Sequence, residues 1–211
     1  MAMTLICSLL LLAPALAGAA NLLSNGHFDD GLSGWQTTYD QPGESWYADN
    51  HRHVSVVAED TGRKNVLRLH VKDRFTADNP GVKADSTPIP IPPGGRYKFS
   101  AVARSTGPNC RILLEGYRWR PDVTPHDKPT LSDLRKAYKF EQLFFGPVPG
   151  GTMGGVGRHW TRATVTVPQT PMKELQQKIF DSVQFLVVHI VAIGGGPGDL
   201  FVDDIELERI P

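Results

Sequence analysis

Three stretches hold residue types whose spacing could do chemistry. In CRILLEGYRW, residues 110–119, strand alternation puts Leu113, Glu115, Tyr117 and Trp119 on one face and Ile112, Leu114 and Gly116 on the other. Tyr and Trp rings can lie flat against the C–H patches of a pyranose while a nearby carboxylate satisfies its hydroxyls, so this face could form a sugar platform. The alternative is that the segment after Trp119 covers both rings. In ESWYADNHRH, residues 44–53, Trp46 and Tyr47 adjoin Asp49, Asn50 and Arg52. Two neighbouring aromatics in a polar loop are hard to bury together, which suits a ligand-contacting loop. In LFVDDIELERI, residues 200–210, alternation puts Phe201, Asp203, Ile205 and Leu207 on one face and Val202, Asp204, Glu206 and Glu208 on a solvated one. Asp203 is then the one carboxylate on an apolar face, which is costly without compensation. An oxygen-coordinated Ca²⁺ would compensate it, and so would backbone N–H groups at a sheet margin.

Rival chemistries have weaker spacing. His51 and His53 could share a metal, but a third ligand at suitable spacing and an H-E-x-x-H pattern are both missing. His189 sits in VVHIVA, apolar on both faces, and reads as a hydrogen-bonded core residue that could also floor a groove. Glycoside hydrolysis needs two carboxylates facing one cleft. The row Asp204, Glu206, Glu208 lies on the closing strand and departs from the E-x-D-x-x-E spacing usual in jelly-roll glycosidases. There is no G-x-S-x-G, and the glycine runs at 150–157 and 194–198 lack the Lys-Ser/Thr of a phosphate loop.

The elements that must position these residues read as strands. Short alternating segments are expected near 22–28, 53–58, 66–72, 95–105, 110–119, 161–168, 183–193 and 200–208, separated by Gly- and Pro-rich turns. This is an all-β, jelly-roll pattern. One excursion, 120–158, interrupts it. Within it Leu131, Leu134 and Tyr138 at helical spacing behind Thr130-x-x-Asp133 predict a short helix over 130–139. The first twenty residues, with an apolar run, Pro14 and an Ala17-Gly18-Ala19 end, read as a secretory signal peptide, too short to span a bilayer. The expected product is a secreted or periplasmic single domain, 21–211. Lys plus Arg and Asp plus Glu both number 22, so no electrostatic case for nucleic acid arises. Cys110 has no partner in that domain, which rules out an internal disulfide there.

The two ends resemble a known family. NLLSNGHFDDGLSGW, HWTRATVTVP and FVDDIEL are similar to the opening, penultimate and closing segments of carbohydrate-binding modules of families four, nine and twenty-two. The resemblance implies a galactose-binding-like β-sandwich with adjacent terminal strands. It implies a structural calcium held by Asp29 and Asp203, and core positions for Trp35 and Trp160. The chain departs from the pattern at Asp29, where Glu is usual, and at His27, where Asp is frequent. The expectation is therefore a noncatalytic, monomeric polysaccharide-binding protein using Trp46, Tyr47, Arg52, Glu115, Tyr117 and Trp119. An adhesion or assembly sandwich, or a small jelly-roll hydrolase or lyase, are the alternatives.

Overall fold

A computed structural model describes residues 20–38, 49–145, 156–169 and 172–211. Residues 1–19, which fall within the segment expected to be a signal peptide, Trp46, Tyr47 and most of the glycine-rich run lie outside the described residues.

Among the described residues eleven strands form two antiparallel sheets: β1 (Trp35–Gln36), β2 (Val54–Val57), β3 (Val66–Val71), β4 (Val82–Ser86), β5 (Ile89–Pro90), β6 (Arg96–Ser105), β7 (Cys110–Trp119), β8 (Leu134–Phe145), β9 (Thr161–Val167), β10 (Phe185–Ala192) and β11 (Gly198–Ile210). One sheet has the order β1-β4-β10-β7-β8, with β5 also pairing β10; the other runs β2-β3-β11-β6-β9. Two short helices, α1 (Arg74–Asp78) and α2 (Glu174–Asp181), decorate the connections. Among the described residues no helix is long and apolar enough to cross a membrane.

Period-two patterning builds the sandwich. Leu67, Leu69 and Val71 of β3, Ile112 and Leu114 of β7, and Leu186, Val188 and Ile190 of β10 point into one core between the sheets. Each such side chain fully buried stabilises the fold by about 1.5–3 kcal/mol. The intervening residues, Arg68 and His70, Glu115 and Tyr117, Val187 and His189, necessarily face outward. Both sheets therefore present an outer surface whose composition the core does not dictate.

The structure alters three sequence expectations. Residues 22–28 form turns and bends, not a strand; the segment meets the last strand through one isolated β-bridge, Asn21 to Glu208, and through the backbone hydrogen bonds Leu22 N to Leu207 O and Ile205 N to Gly26 O. The helix expected over 130–139 is present as one 3₁₀ turn, Leu131–Asp133, with its Thr130/Asp133 capping box. From Leu134 the chain is β8, because pairing with β7 outweighs the weak helical period. The excursion therefore supplies the edge strand of the six-stranded sheet.

Third, β11 does not alternate throughout. Between Asp203 and Glu206 it carries a β-bulge against β6, with Asp204 at φ +48°. The extra residue reverses which parity faces inward. Leu200 and Val202 are core before it, Ile205 and Leu207 after it. Phe201 and Asp203 thus lie on the outer face, and Asp204 turns to join Asp203 there; the single-face assignment made from alternation is corrected.

Candidate functional site on the six-stranded sheet

Four adjacent strands aim titratable side chains at one place on the outer face. β4 provides Lys83 and Asp85, β10 provides His189, β7 provides Glu115 and Tyr117, and β8 provides Lys136. Register makes them neighbours: His189 lies opposite Asp85 on β4 and opposite Leu113 on β7, and Tyr117 lies opposite Lys136. Together with Leu113 and Val191 they line a depression of about 140 Å³, below the roughly 300–1,000 Å³ of a drug-sized pocket.

The groups form one connected chain. Lys83 Nζ lies 3.0 Å from Asp85 Oδ2, and His189 Nδ1 lies 2.8 Å from Asp85 Oδ1. His189 Nε2 is 3.0 Å from the Tyr117 hydroxyl, which donates to Glu115 Oε2 at 3.0 Å. Lys136 Nζ closes the chain 2.5 Å from the same Glu115 oxygen. Two ammonium groups balance two carboxylates. Burial opposes ionisation of Asp85, but His189 and Lys83 outweigh it and hold its carboxyl below the usual range. Asn50 braces the edge of the site: its amide donates to Lys83 O at 2.8 Å and accepts from Lys83 N at 2.9 Å. Charged groups held this way make strong, directional hydrogen bonds. The arrangement can bind a polyhydroxylated molecule or pass a proton.

The aromatic platform is corrected. Glu115 and Tyr117 do share the outer face, yet Tyr117 is 2% exposed. With Leu131, Leu134, Phe185 and Val187 it forms a second apolar cluster, with Trp119 packed against it. Trp119 meets Phe185 edge-on at 5.4 Å and His126 at 5.1 Å. The start of the excursion has folded back over these rings, so Tyr117 offers its hydroxyl, not its face. Arg52 is solvent-exposed and pairs with Asp49 at 3.5 Å, outside the depression. Sequence reasoning missed Lys83, Asp85 and Lys136 and read His189 as a hydrogen-bonded core residue that could also floor a groove. The signal was present in VKADS, where Val82 and Ala84 alternate with Lys83 and Asp85, but that run was too short and polar to read as a strand.

The second cluster of interest lies on the opposite outer face, where the ends of the chain meet. Asn25 bonds Gly31 O, Ser33 O and Asp30 N, which shapes the opening turns, and Phe28 packs on Trp35 at 5.3 Å. Trp35 is in the core as expected. Gly26 is required by contact: a Cβ there would fall on the Ile205 carbonyl oxygen at the bulge. Trp160 is corrected. It is half-buried on the outer face, with Arg63 4.8 Å above its ring and its indole N–H donating to Thr61 at 2.8 Å.

Asp203 is buried here, and desolvation pushes its carboxyl up despite donors from Asp204 N and Arg63. Among the described residues, the groups whose ligand atoms lie within 4.8 Å of one another are His27, Asp203 and Asp204. Asp29 lies outside that trio, accepting from Asn65 at 2.8 Å. The fit to a calcium ion is poor, because Arg63 already bonds both Asp203 and Asp204. A divalent ion between the two carboxylates would meet a guanidinium.

No protein-family model and no curated protein matches the sequence. Solved structures do match over most of its length. A CBM4 structure is similar at 12% identity, with 89% of this chain and 99% of that one covered and a TM-score of 0.51. The CBM22-1 xylan-binding domain of Paenibacillus barcinonensis Xyn10C is similar at 12% identity, covering 93% and 98%, with a TM-score of 0.50. The enzymatically active domain of bacteriophage CBA120 tailspike protein 4 is similar at 13% identity, covering 90% of this chain but 21% of that one, with a TM-score of 0.50. The chain shares the two-sheet antiparallel β-sandwich fold of these structures, the fold that the resemblance of the opening and closing motifs implied.

Proposed function

We propose that this protein binds a saccharide at the outer face of its six-stranded sheet, in the depression between Asp85 and Lys136. The observation that carries the reading is the chain of paired donors and acceptors from four strands, Lys83–Asp85–His189–Tyr117–Glu115–Lys136, converging on one depression. Carboxylates accept from vicinal sugar hydroxyls and ammonium groups donate to sugar oxygens, each more strongly than a neutral partner. The fold shared with a xylan-binding domain and a CBM4 structure supports a sugar over other polyols. The size of the depression and the covered rings of Tyr117 and Trp119 favour hydrogen-bonded capture of one sugar unit over a stacked chain. Export to the periplasm or medium is part of the same reading and rests on the leader pattern alone.

The test is affinity electrophoresis and calorimetry against β-glucan, xylan, mannan and alginate, with their monosaccharides as competitors. Lys136 lies on the edge strand with its side chain about half exposed (53%), so Lys136→Met should still fold, melting somewhat lower because buried Glu115 loses its cation, and should weaken binding at least tenfold. Absence of binding to every glycan, or a Lys136→Met variant that binds like the parent, sinks the proposal.

A second reading, acid–base catalysis on a bound sugar, is favoured by one observation. Asp85 orients His189, and His189 meets the Tyr117 hydroxyl, so a proton acceptor and a proton donor are in contact within the depression. Release of reducing ends from a bound glycan, lost in Tyr117→Phe with binding kept, would establish it.

A further inference from the structure

The junction of the two chain ends carries an assignment of its own. All four carboxylate oxygens of Asp203 and Asp204 have donors from the protein. Asp203 Oδ1 accepts from the Asp204 backbone N–H at 2.7 Å, and Asp203 Oδ2 accepts from Arg63 Nη1. Asp204 Oδ1 meets His27 Nδ1 at 3.0 Å, while its Oδ2 accepts from Arg63 Nη1 at 3.1 Å and Arg162 Nη2 at 3.3 Å. The bulge at Asp204 is what makes this possible, because it brings two successive carboxylates to one side of β11.

We infer that Arg63 occupies the place a divalent cation would take, acting as a tethered cation that joins the β2–β3 loop to the last strand, with Asn65 of the same loop reaching the opening segment. Three further contacts fix it there. Trp160 lies against the guanidinium at 4.8 Å, Asn65 two residues on donates to Asp29 in the opening segment, and the Glu59 N–H donates to Arg63 O at 2.8 Å, closing the loop that carries it. A guanidinium supplies several N–H donors in a plane, enough to bridge two carboxylates, and it stays protonated at any working pH. Once it is seated, a calcium ion would have to displace it and also strip oxygens that already have donors.

The experiment is thermal unfolding of the full protein with excess EDTA and with millimolar CaCl₂, in the parent, in Arg63→Met and in Arg63→Lys. The parent should melt at the same temperature in both buffers. Arg63→Met should melt several degrees lower in EDTA and regain most of that loss in CaCl₂, because its freed carboxylates then take the ion. Arg63→Lys keeps a charge and should fall between the two, so it carries the test if Arg63→Met does not fold. A parent that loses several degrees in EDTA overturns the inference. So does an Arg63→Met protein that melts like the parent, or one that calcium fails to restore.

Discussion

The two outer faces of the sandwich use the same residue types to opposite ends. On the six-stranded sheet every member of the cluster comes from a strand, at a position fixed by regular alternation, and the chain of contacts runs along the wall of a depression. On the five-stranded sheet the members come from loops, the bulge of β11 and, for Arg162, strand β9, and the contacts close on themselves until each carboxylate oxygen has a donor. The first arrangement leaves polar groups able to meet a ligand. The second ties segments together. What distinguishes the two is therefore which segments the paired groups join, neighbouring strands lining a depression or loops tied to the last strand, not how many charges are present.

The largest expected effect breaks the comparison on the side of the depression. Asp85 is fully buried between Lys83 and His189, so Asp85→Ala leaves two buried polar partners without their acceptor and should cost about 3–5 kcal/mol. Urea unfolding measures it, and a loss under about 1 kcal/mol would mean that the cluster is not interdependent. Next comes the clasp. Gly26→Ala drives a methyl group into the Ile205 carbonyl at the bulge, and an overpacked contact of this kind costs about 1–3 kcal/mol. The same unfolding curve reads it, with sugar affinity expected unchanged.

The smallest effect sharpens the contrast through pH. An unfolded Asp titrates near about 3.9. Asp85 is held below that, so its stabilisation is complete above about pH 3.9 and is lost as pH falls through its folded value. Asp203 is pushed above that, so it contributes the opposite slope: just above about pH 3.9, stability falls as pH rises and this carboxyl ionises. Asp85→Asn should therefore flatten the acid limb of stability against pH, and Asp203→Asn should steepen the limb above it. Identical limbs in both variants would show that the clusters titrate alike.

How much of this was legible in the sequence follows from what each feature rests on. The sandwich was readable because most of its strands have a strict period of two: β7 falls on the predicted residues, and β2, β3, β6 and β9 fall within a residue or two. Glu115 and Tyr117 were placed on the right face for the same reason. Lys83 and Asp85 were not found, since a five-residue strand with small Ala84 and two charges offers little periodicity to detect. The covering of Tyr117 and Trp119 depends on Leu131 and Leu134 returning from the excursion, a long-range contact that local pattern cannot encode. The motif FVDDIEL marked the closing strand, but the bulge inside it inverted the facing of Phe201 and Asp203. Inserting a single residue is enough to defeat an argument from parity.

The tethered cation at the chain ends has a consequence in mass action. A bound ion stabilises a fold by an amount that depends on its free concentration, and it departs when that concentration falls. Arg63 is delivered with the chain, one per molecule, and has no concentration to lose. A fold clasped in this way keeps its ends joined in surroundings stripped of free divalent ions, such as a gel of acidic polysaccharide that sequesters them.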